Sequence, residues 1–586
     1  QNLLDATGLA PNLFIGQQTA GPGIGAIYSR GQGYADVEKT QSPAIGVMID
    51  GISFGTNTGQ LTDLFDVQQI EVNRGPQGLL YGKNTTAGVI DIKRTRPTEE
   101  PGVKAQFTYG SFDEYAAKAT VNTGEFLDGL AALKLGVQYR EADGFYDNLY
   151  DGTTLGDIEQ FLVTAGLQLN LHEDLSAYIV FDYMKDESET PPVQAENTLL
   201  LPQLPGANGF GPYDTLGDLE QPTEYETTRV SAEVNWETVI GTVTSLTGYI
   251  SASDDVLQDF DSTCVSDVRG LGCPFNGNPR FPAPSLHTNR MQQYRQFTQE
   301  LRLATELHER VRLIVGGYYY DSAIQLNQLT DNNLQLILPF GLISNQESRL
   351  DTKSKAAFAN VEVDLLDDVT LSVGARYISE DFDVDSTFFD TARTGSLTTD
   401  GTVLNLAVPR FTDDASFNEV ISRIALDWRI NENHMLYVSR AEGFRSGGFS
   451  IRATLSETVP GTSNFSPGGE RFNTFEPESV ETYEVGLKNT FLDGDLIVNV
   501  NGFYQEIDGY QANFVVITPS PPAPRGTNTY NNNFDEVSGW GAELEVQAQI
   551  PWVEGLSVNF TGGYQDIEID EAMIDARRVP VGPGGT

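Results

Sequence analysis

Four sets of residues in this 586-residue chain have types and spacings that could do chemistry. The first is a cation at a strand end. In "IEVNRGPQGLLYG", Ile70 and Val72 alternate with Glu71 and Asn73 as in a half-buried strand, which breaks at Arg74-Gly75-Pro76. The second is Asp143, Asp147, Asp151 and Asp157 in "READGFYDNLYDGTTLGD". Calcium takes such oxygen donors, but the spacing is not that of a calcium loop, so solvated turn residues are expected. The third is Cys264 and Cys273, with eight residues between them in a polar Gly/Pro-rich stretch. They fit a small disulfide-closed loop in an oxidising compartment, with free thiols as the alternative; no histidine at finger-like spacing supports a zinc pair. The fourth is His172, His287, His308 and His434, far apart in sequence and three of them in tight turns. No nucleophile–base or metal-ligand arrangement emerges, so neither an enzyme nor a resident metal or cofactor is expected.

Composition narrows what these residues serve. The formal charge is −46, which argues against nucleic acid as a partner, since that needs a cationic surface. Disorder is the other common reading of an acidic chain, but 24 Tyr, 31 Phe and many short apolar runs indicate a folded object. Abundant Gly (58) and scarce Met (5) suit a many-turned all-β architecture. No run reaches the roughly 20 apolar residues of a membrane-spanning helix, whereas a β-barrel crosses a membrane without one. Gln1-Asn2-Leu3-Leu4 has neither the basic start nor the apolar core of a signal peptide, so the chain is expected to begin after processing or later.

From about Pro101 onward one rhythm repeats. In "FLVTAGLQLNL", Phe161, Val163, Ala165, Leu167, Leu169 and Leu171 share a face; "YEVGLK" sets Tyr483, Val485 and Leu487 against Glu484, Gly486 and Lys488. Period two with one apolar face is the strand signal. Every second connection is tight, as at 122–129, 170–175, 305–310, 364–369, 429–434, 490–495 and 550–555. Most of the others are long and polar, across 186–222, 258–289, 386–412, 446–474 and 513–527. Short turns on one side and long loops on the other mark an outer-membrane barrel, because a soluble sandwich has no reason to sort its loops. About 17 strands are expected. The odd count and the loop-like tail "RRVPVGPGGT" predict that C-terminal strands lie beyond this sequence.

Residues 1–97 behave differently. They hold 7 Lys/Arg against 8 Asp/Glu, leaving 29 against 74 for residues 98–586. Short strands separated by glycines, as in "AGPGIGAIYSRGQG", predict a compact, nearly neutral domain ahead of an acidic barrel, wide enough to need a plug.

The segments "IGVMIDGISF", "LFDVQQIEVNRGPQGLLYGKNTTAGVIDIKRTRP", "YVSRAEGFRSGGF", "FEPESVETYEVGLKNTFLDGDLIVNVNGFY" and "VSGWGAELEVQ" resemble, in order, the signatures of TonB-dependent outer-membrane receptors. The resemblance covers nearly the whole chain. It implies an all-β transmembrane barrel of 22 strands in the Gram-negative outer membrane, occluded by an N-terminal plug and driven by TonB with its inner-membrane energising complex. The family's opening part, with the TonB box, is missing from this sequence.

The resemblance also gives Arg74 a target. In siderophore receptors of the family two plug arginines face two inward barrel glutamates, and the matching positions are Arg30 in "YSRGQG", Arg74, Glu484 in "YEVGLK" and Glu543 in "WGAELE". Strand parity agrees, since Glu484 and Glu543 lie opposite the apolar residues and so should face the lumen. A confined Arg–carboxylate cluster makes a latch rather than a catalyst. The resemblance further suggests ligand contacts at Gln18, Tyr34 and Phe54 on the plug apices and at Phe444 and Arg445 on an outward strand end, although aromatics there also suit an interfacial girdle.

The function expected is import of a ferric-siderophore-like iron complex. Carbohydrate, cobalamin or another large nutrient would use the same mechanism, and a non-transporting scaffold is the alternative of another class. The barrel's acidity disfavours anionic chelates, and divalent cations are expected to bridge it to outer-membrane lipid and lipopolysaccharide.

Overall fold

The structure is a computed structural model that describes all residues except 1–2, 19–20, 22, 35–39, 62–65, 193–210, 218, 220, 261–285, 333–340, 394–404, 408–409, 452–473, 518–526, 554 and 572–586. Cys264 and Cys273 therefore lie outside the described residues.

The N-terminal domain contains two small sheets. One is an antiparallel set of β1 (Leu13–Gln17), β2 (Gly25–Ser29) and β3 (Gln32–Gly33). The other has the order β5-β4-β7-β6, from β4 (Ile45–Ile49), β5 (Ile52–Ser53), β6 (Val67–Arg74) and β7 (Gly88–Arg94). The continuous apolar run "IGVMI" makes β4 a strand buried on both faces, paired in parallel with β7. Val47, Ile90 and Ile92 form the centre of the core with Ile45 and Ile49. Two tight hairpin turns carry chemistry. Arg30-Gly31 joins β2 to β3 and Asp50-Gly51 joins β4 to β5, with all four residues at positive φ. That backbone matches the right-handed twist of a hairpin, and glycine supplies the second position without strain. A single turn of helix, α1 (Gly78–Tyr81), follows Arg74-Gly75-Pro76.

From Pro101 to Glu571 consecutive antiparallel strands form a closed barrel around this domain. Among the described residues, seventeen of its strands have nine residues or more, in agreement with the expected count, and a three-residue strand, Asn405–Ala407, pairs beside them. The longest, Gly341–Leu366, has 26 residues where about 9–11 cross a bilayer, so it rises well beyond the membrane. Apolar side chains point outward. Tyr483 and Val485 are exposed while Glu484 between them is half-buried, the inside-out pattern of a wall facing lipid. The short turns, such as those after His172, His308, Leu366 and Asn431, gather on one side of the sheet.

Candidate functional site

The site lies where the plug meets the barrel wall. Arg30 occupies the β2–β3 turn at φ 48°, a conformation uncommon for a bulky residue, and its side chain is 2% exposed. Its Nε and Nη2 donate to Oε1 and Oε2 of Glu543 at 3.0 and 2.8 Å, and Nη1 forms an ion pair with Glu484 at 2.8 Å. The guanidinium lies over the Phe503 ring, 4.2 Å from its centroid. Burial opposes the Arg30 charge, yet hydrogen bonds and attraction from Glu543 and Glu484 outweigh it and hold its pKa above the ordinary value.

Arg74 arrives from the end of β6. Its Nη1 lies 3.0 Å from Glu543 Oε2 and its Nη2 donates to Glu545 at 2.6 Å. Glu543 is thus held by both arginines, and it also accepts from Asn12 at 3.1 Å and from Asn501, its cross-strand partner, at 2.9 Å. Glu484 accepts from Tyr437 at 2.5 Å. Around the ions, Gln505 donates to the Arg30 carbonyl at 3.1 Å and accepts from Gln32 at 3.2 Å.

All four residues named from the sequence meet here, and the structure pairs them individually. Arg74 joins Glu543 and Glu545, and Glu484 is engaged by Arg30 and Tyr437. The sequence reading missed Glu545, although it sits two residues after Glu543 in "AELEVQ" and so shares the lumen face. It also missed Asn12, which only the folded turn brings near.

Further plug–barrel contacts are polar too, alongside an apolar one in which Ile52 and Phe54 cluster with Ile250, Tyr294 and Ile324 of the wall. Lys83 pairs with the fully buried Glu380 at 2.7 Å and lies over Tyr320. Gln296 donates to the Ser53 carbonyl at 2.8 Å and accepts from the Gly55 N–H at 3.0 Å, clasping the loop after β5. The suggested ligand contacts are all buried. Phe444 packs with Ile378 and Ile421. Arg445 donates to the Ser42 carbonyl at 2.8 Å, faces Glu478 at 3.5 Å and lies over Tyr34, so it braces the plug, and neither residue stands at an open strand end. Gln18 bonds through its N–H to Ile24, and Phe54 lies near Arg229.

The aspartates hold their own loop. Asp157 accepts from the Gly144 N–H at 2.6 Å and Asp151 from the Thr153 N–H at 3.0 Å. No group of three or more His, Cys, Asp or Glu able to hold a metal occurs among the described residues. His172 and His308 accept from backbone N–H groups of their turns, and His434 meets Asn489 at 3.0 Å.

Comparison with known proteins bears on this arrangement. Residues 1–89 match the model of the TonB-dependent receptor plug domain, and residues 181–582 match that of the TonB-dependent receptor-like β-barrel. The pesticin receptor of Yersinia enterocolitica is 23% identical over 577 residues, covering 94% of this chain and 71% of the relative. The catecholate siderophore receptor Fiu of Escherichia coli is 22% identical over 558 residues, covering 86% and 66%. The crystal structure of the ferric yersiniabactin uptake receptor FyuA from Yersinia pestis superposes with a TM-score of 0.74 at 18% identity, covering 97% of this chain and 77% of that one.

Proposed function

From the premise that this chain belongs to the family of TonB-dependent receptors, outer-membrane plug-and-barrel transport receptors rather than enzymes, we propose that it imports a ferric-siderophore-like iron complex into the periplasm. The names of its relatives, a pesticin receptor and a catecholate siderophore receptor, support that class of cargo.

The observation that carries the reading is the chemistry of the seam. The ion-pair and hydrogen-bond partners gathered about Arg30 and Arg74 are Glu484, Glu543, Glu545, Asn12, Asn501, Gln32 and Gln505, every one a group that water can solvate once the surfaces part, with the Phe503 ring beneath Arg30 as the apolar neighbour. An apolar seam would have to expose greasy surface at about 25 cal/mol per Å². The ionic one stays specific when shut, because each arginine is aimed at particular oxygens, and exchanges its partners for water when open. Arg30, Arg74, Glu484 and Glu543 therefore act as a latch that TonB-driven movement of the plug releases.

Gln18, Tyr34, Phe54, Phe444 and Arg445 are the ligand contacts in this reading, and their burial means the apices separate from the wall as ligand enters. The 29 Lys/Arg against 74 Asp/Glu of residues 98–586 favour neutral or cationic chelates over anionic ones. The same acidity supports divalent-cation bridges to lipopolysaccharide. The test is equilibrium binding of ferric chelates of matched size and differing charge to the purified receptor. Saturable binding of a neutral or cationic hydroxamate-type chelate is the expected result; saturable binding confined to an iron-free nutrient overturns the cargo.

A further inference from the structure

The central hairpin of the plug crosses the lumen. β6 and β7 pair antiparallel, with Arg74 opposite Gly88 at one end and Val67 opposite Arg94 at the other. Seven extended residues separate the two ends by about 20 Å. Arg74 meets the strand Thr527–Gln549, the sixteenth of the seventeen long barrel strands, through Glu543 and Glu545. Arg94 meets the fifth, Leu175–Asp186, six strands further round the closed sheet. There its Nη1 donates to Asp182 at 2.5 Å, while its Nε and Nη2 donate to Asp50, in the β4–β5 turn, at 2.7 and 2.5 Å. Asp182 is held from its other side by Nε and Nη2 of Arg229, on the sixth strand, at 2.9 and 2.7 Å.

We infer that Arg94, Asp50, Asp182 and Arg229 form the fixed pivot of the plug, and that the hairpin turns about this end when the Arg30/Arg74 end is released. The inference rests on the reading of the protein as a transporter with a movable plug. Three observations separate the two ends. The Arg94 cluster is balanced, two cations against two carboxylates, and none of its side chains is more than 13% exposed. The latch sets two arginines against three carboxylates, and Glu545 is 27% exposed. The Arg30–Glu543 pair is itself drier, at 2% and 0% exposure, so the two ends differ in charge balance and not in dryness: the pivot has a cation for each carboxylate, whereas the latch has one carboxylate in excess, whose solvation favours opening.

The second observation is that the residues flanking Arg94 have further holds on the wall, beside the one that Lys83 makes with Glu380 in the loop beyond Arg74. Lys134, on the third strand, forms an ion pair with Asp66 at the start of β6 and donates to the Thr95 carbonyl at 2.9 Å. Arg96 reaches both oxygens of Glu233 at 2.9 Å. The third is covalent. The chain leaves Arg94 and enters the first barrel strand at Pro101, whereas the Arg30/Arg74 end is held by non-covalent contacts, among them the Asn84 N–H donating to the Phe444 carbonyl at 2.9 Å. Arg94 and Asp182 are thus positioning residues that act on transport through the path of the plug.

The test pins one end at a time in the full-length receptor in cells, with Cys264→Ser and Cys273→Ser in the background. Asp66→Cys with Lys134→Cys pins the pivot end, and removing both charges together leaves neither stranded. Gln32→Cys with Gln505→Cys pins the latch end without touching its ions. A short bis-thiol linker is applied, the cross-linked fraction is read on a gel, and uptake of labelled ferric chelate is measured in the same cells. Pinning the pivot end should leave at least half of the uptake, and pinning the latch end should reduce it more than tenfold. Equal loss from both, or tolerance of both, overturns the pivot. Should either cysteine pair alone lower receptor level, Asp182→Asn with Arg229→Gln replaces it, with surface level, ligand binding and uptake as readouts. Intact binding with altered uptake upholds the pivot, and unchanged uptake sinks it. Absence of TonB-dependent uptake from the unlinked parent would instead strike at the transport reading itself.

Discussion

Replacing Glu543 by glutamine should loosen the plug far more than the same change at Glu545, two residues away on the same face. Glu543 is 2% exposed and receives four partners, Arg30 through two hydrogen bonds, Arg74 at 3.0 Å, Asn12 and Asn501. Glutamine keeps one acceptor and turns an NH2 group toward guanidinium donors, so two buried cations lose their shared counter-charge. Breaking a buried pair in this way costs roughly 3–5 kcal/mol. Glu545 is 27% exposed and holds Arg74 at 2.6 Å, but Arg74 keeps Glu543 when Glu545 is neutralised. Solvent screening limits that loss to about 1 kcal/mol. Each 1.4 kcal/mol is about tenfold in an opening equilibrium. Hydrogen exchange of the β2 and β3 amides in the detergent-solubilised receptor, under conditions where exchange follows the opening equilibrium, should therefore accelerate by about 10²- to 4 × 10³-fold in Glu543→Gln and by tenfold or less in Glu545→Gln. Equal rates in the two variants would refute the assignment of Glu543 as the centre of the latch.

Three further outcomes follow from the geometry. Gly31→Ala places a side chain at φ 74° in the β2–β3 turn, at a cost of about 1–2 kcal/mol, and should speed the same exchange. Adding Ile567→Ala removes the side chain that the new methyl meets, yet should not restore the wild-type rate, because the strain is in the backbone. Gly55→Ala drives a methyl against the Tyr320 and Tyr294 hydroxyls and should free the loop from Gln296, raising protease sensitivity near Ser53; adding Tyr320→Phe should recover part of the protection. Arg96→Ala loses an exposed pair with Glu233 and should change plug exchange by less than about 1 kcal/mol, so a large effect would contradict the weak role its exposure implies.

Much of this was legible in the sequence because a membrane barrel writes its faces in alternate residues. The parity of "YEVGLK" places Glu484 inward and Tyr483 and Val485 outward, and the tight turns fix which strand ends lie on one side. The latch required more than parity, since Arg30 and Glu543 are 513 residues apart, and only the resemblance to a family joined them. Glu545 was readable by the same parity as Glu543 but went unnoticed beside it.

The Arg94 cluster was not legible at all. Asp182 alternates like any lumen-facing acid, and nothing local shows that the hairpin ending at Arg94 reaches that wall. The setting of Arg445 also escaped the sequence. A strand end reads as solvent-facing until the plug is seen to cover it, with Ser42 and Glu478 as partners.

The central claim is tested most directly by uptake of labelled ferric chelates in three otherwise matched strains: one carrying this receptor, one lacking it, and one carrying it but lacking TonB. The account predicts accumulation of at least one neutral or cationic chelate in the first strain alone. Equal accumulation in all three, across neutral, cationic and anionic chelates, would contradict it.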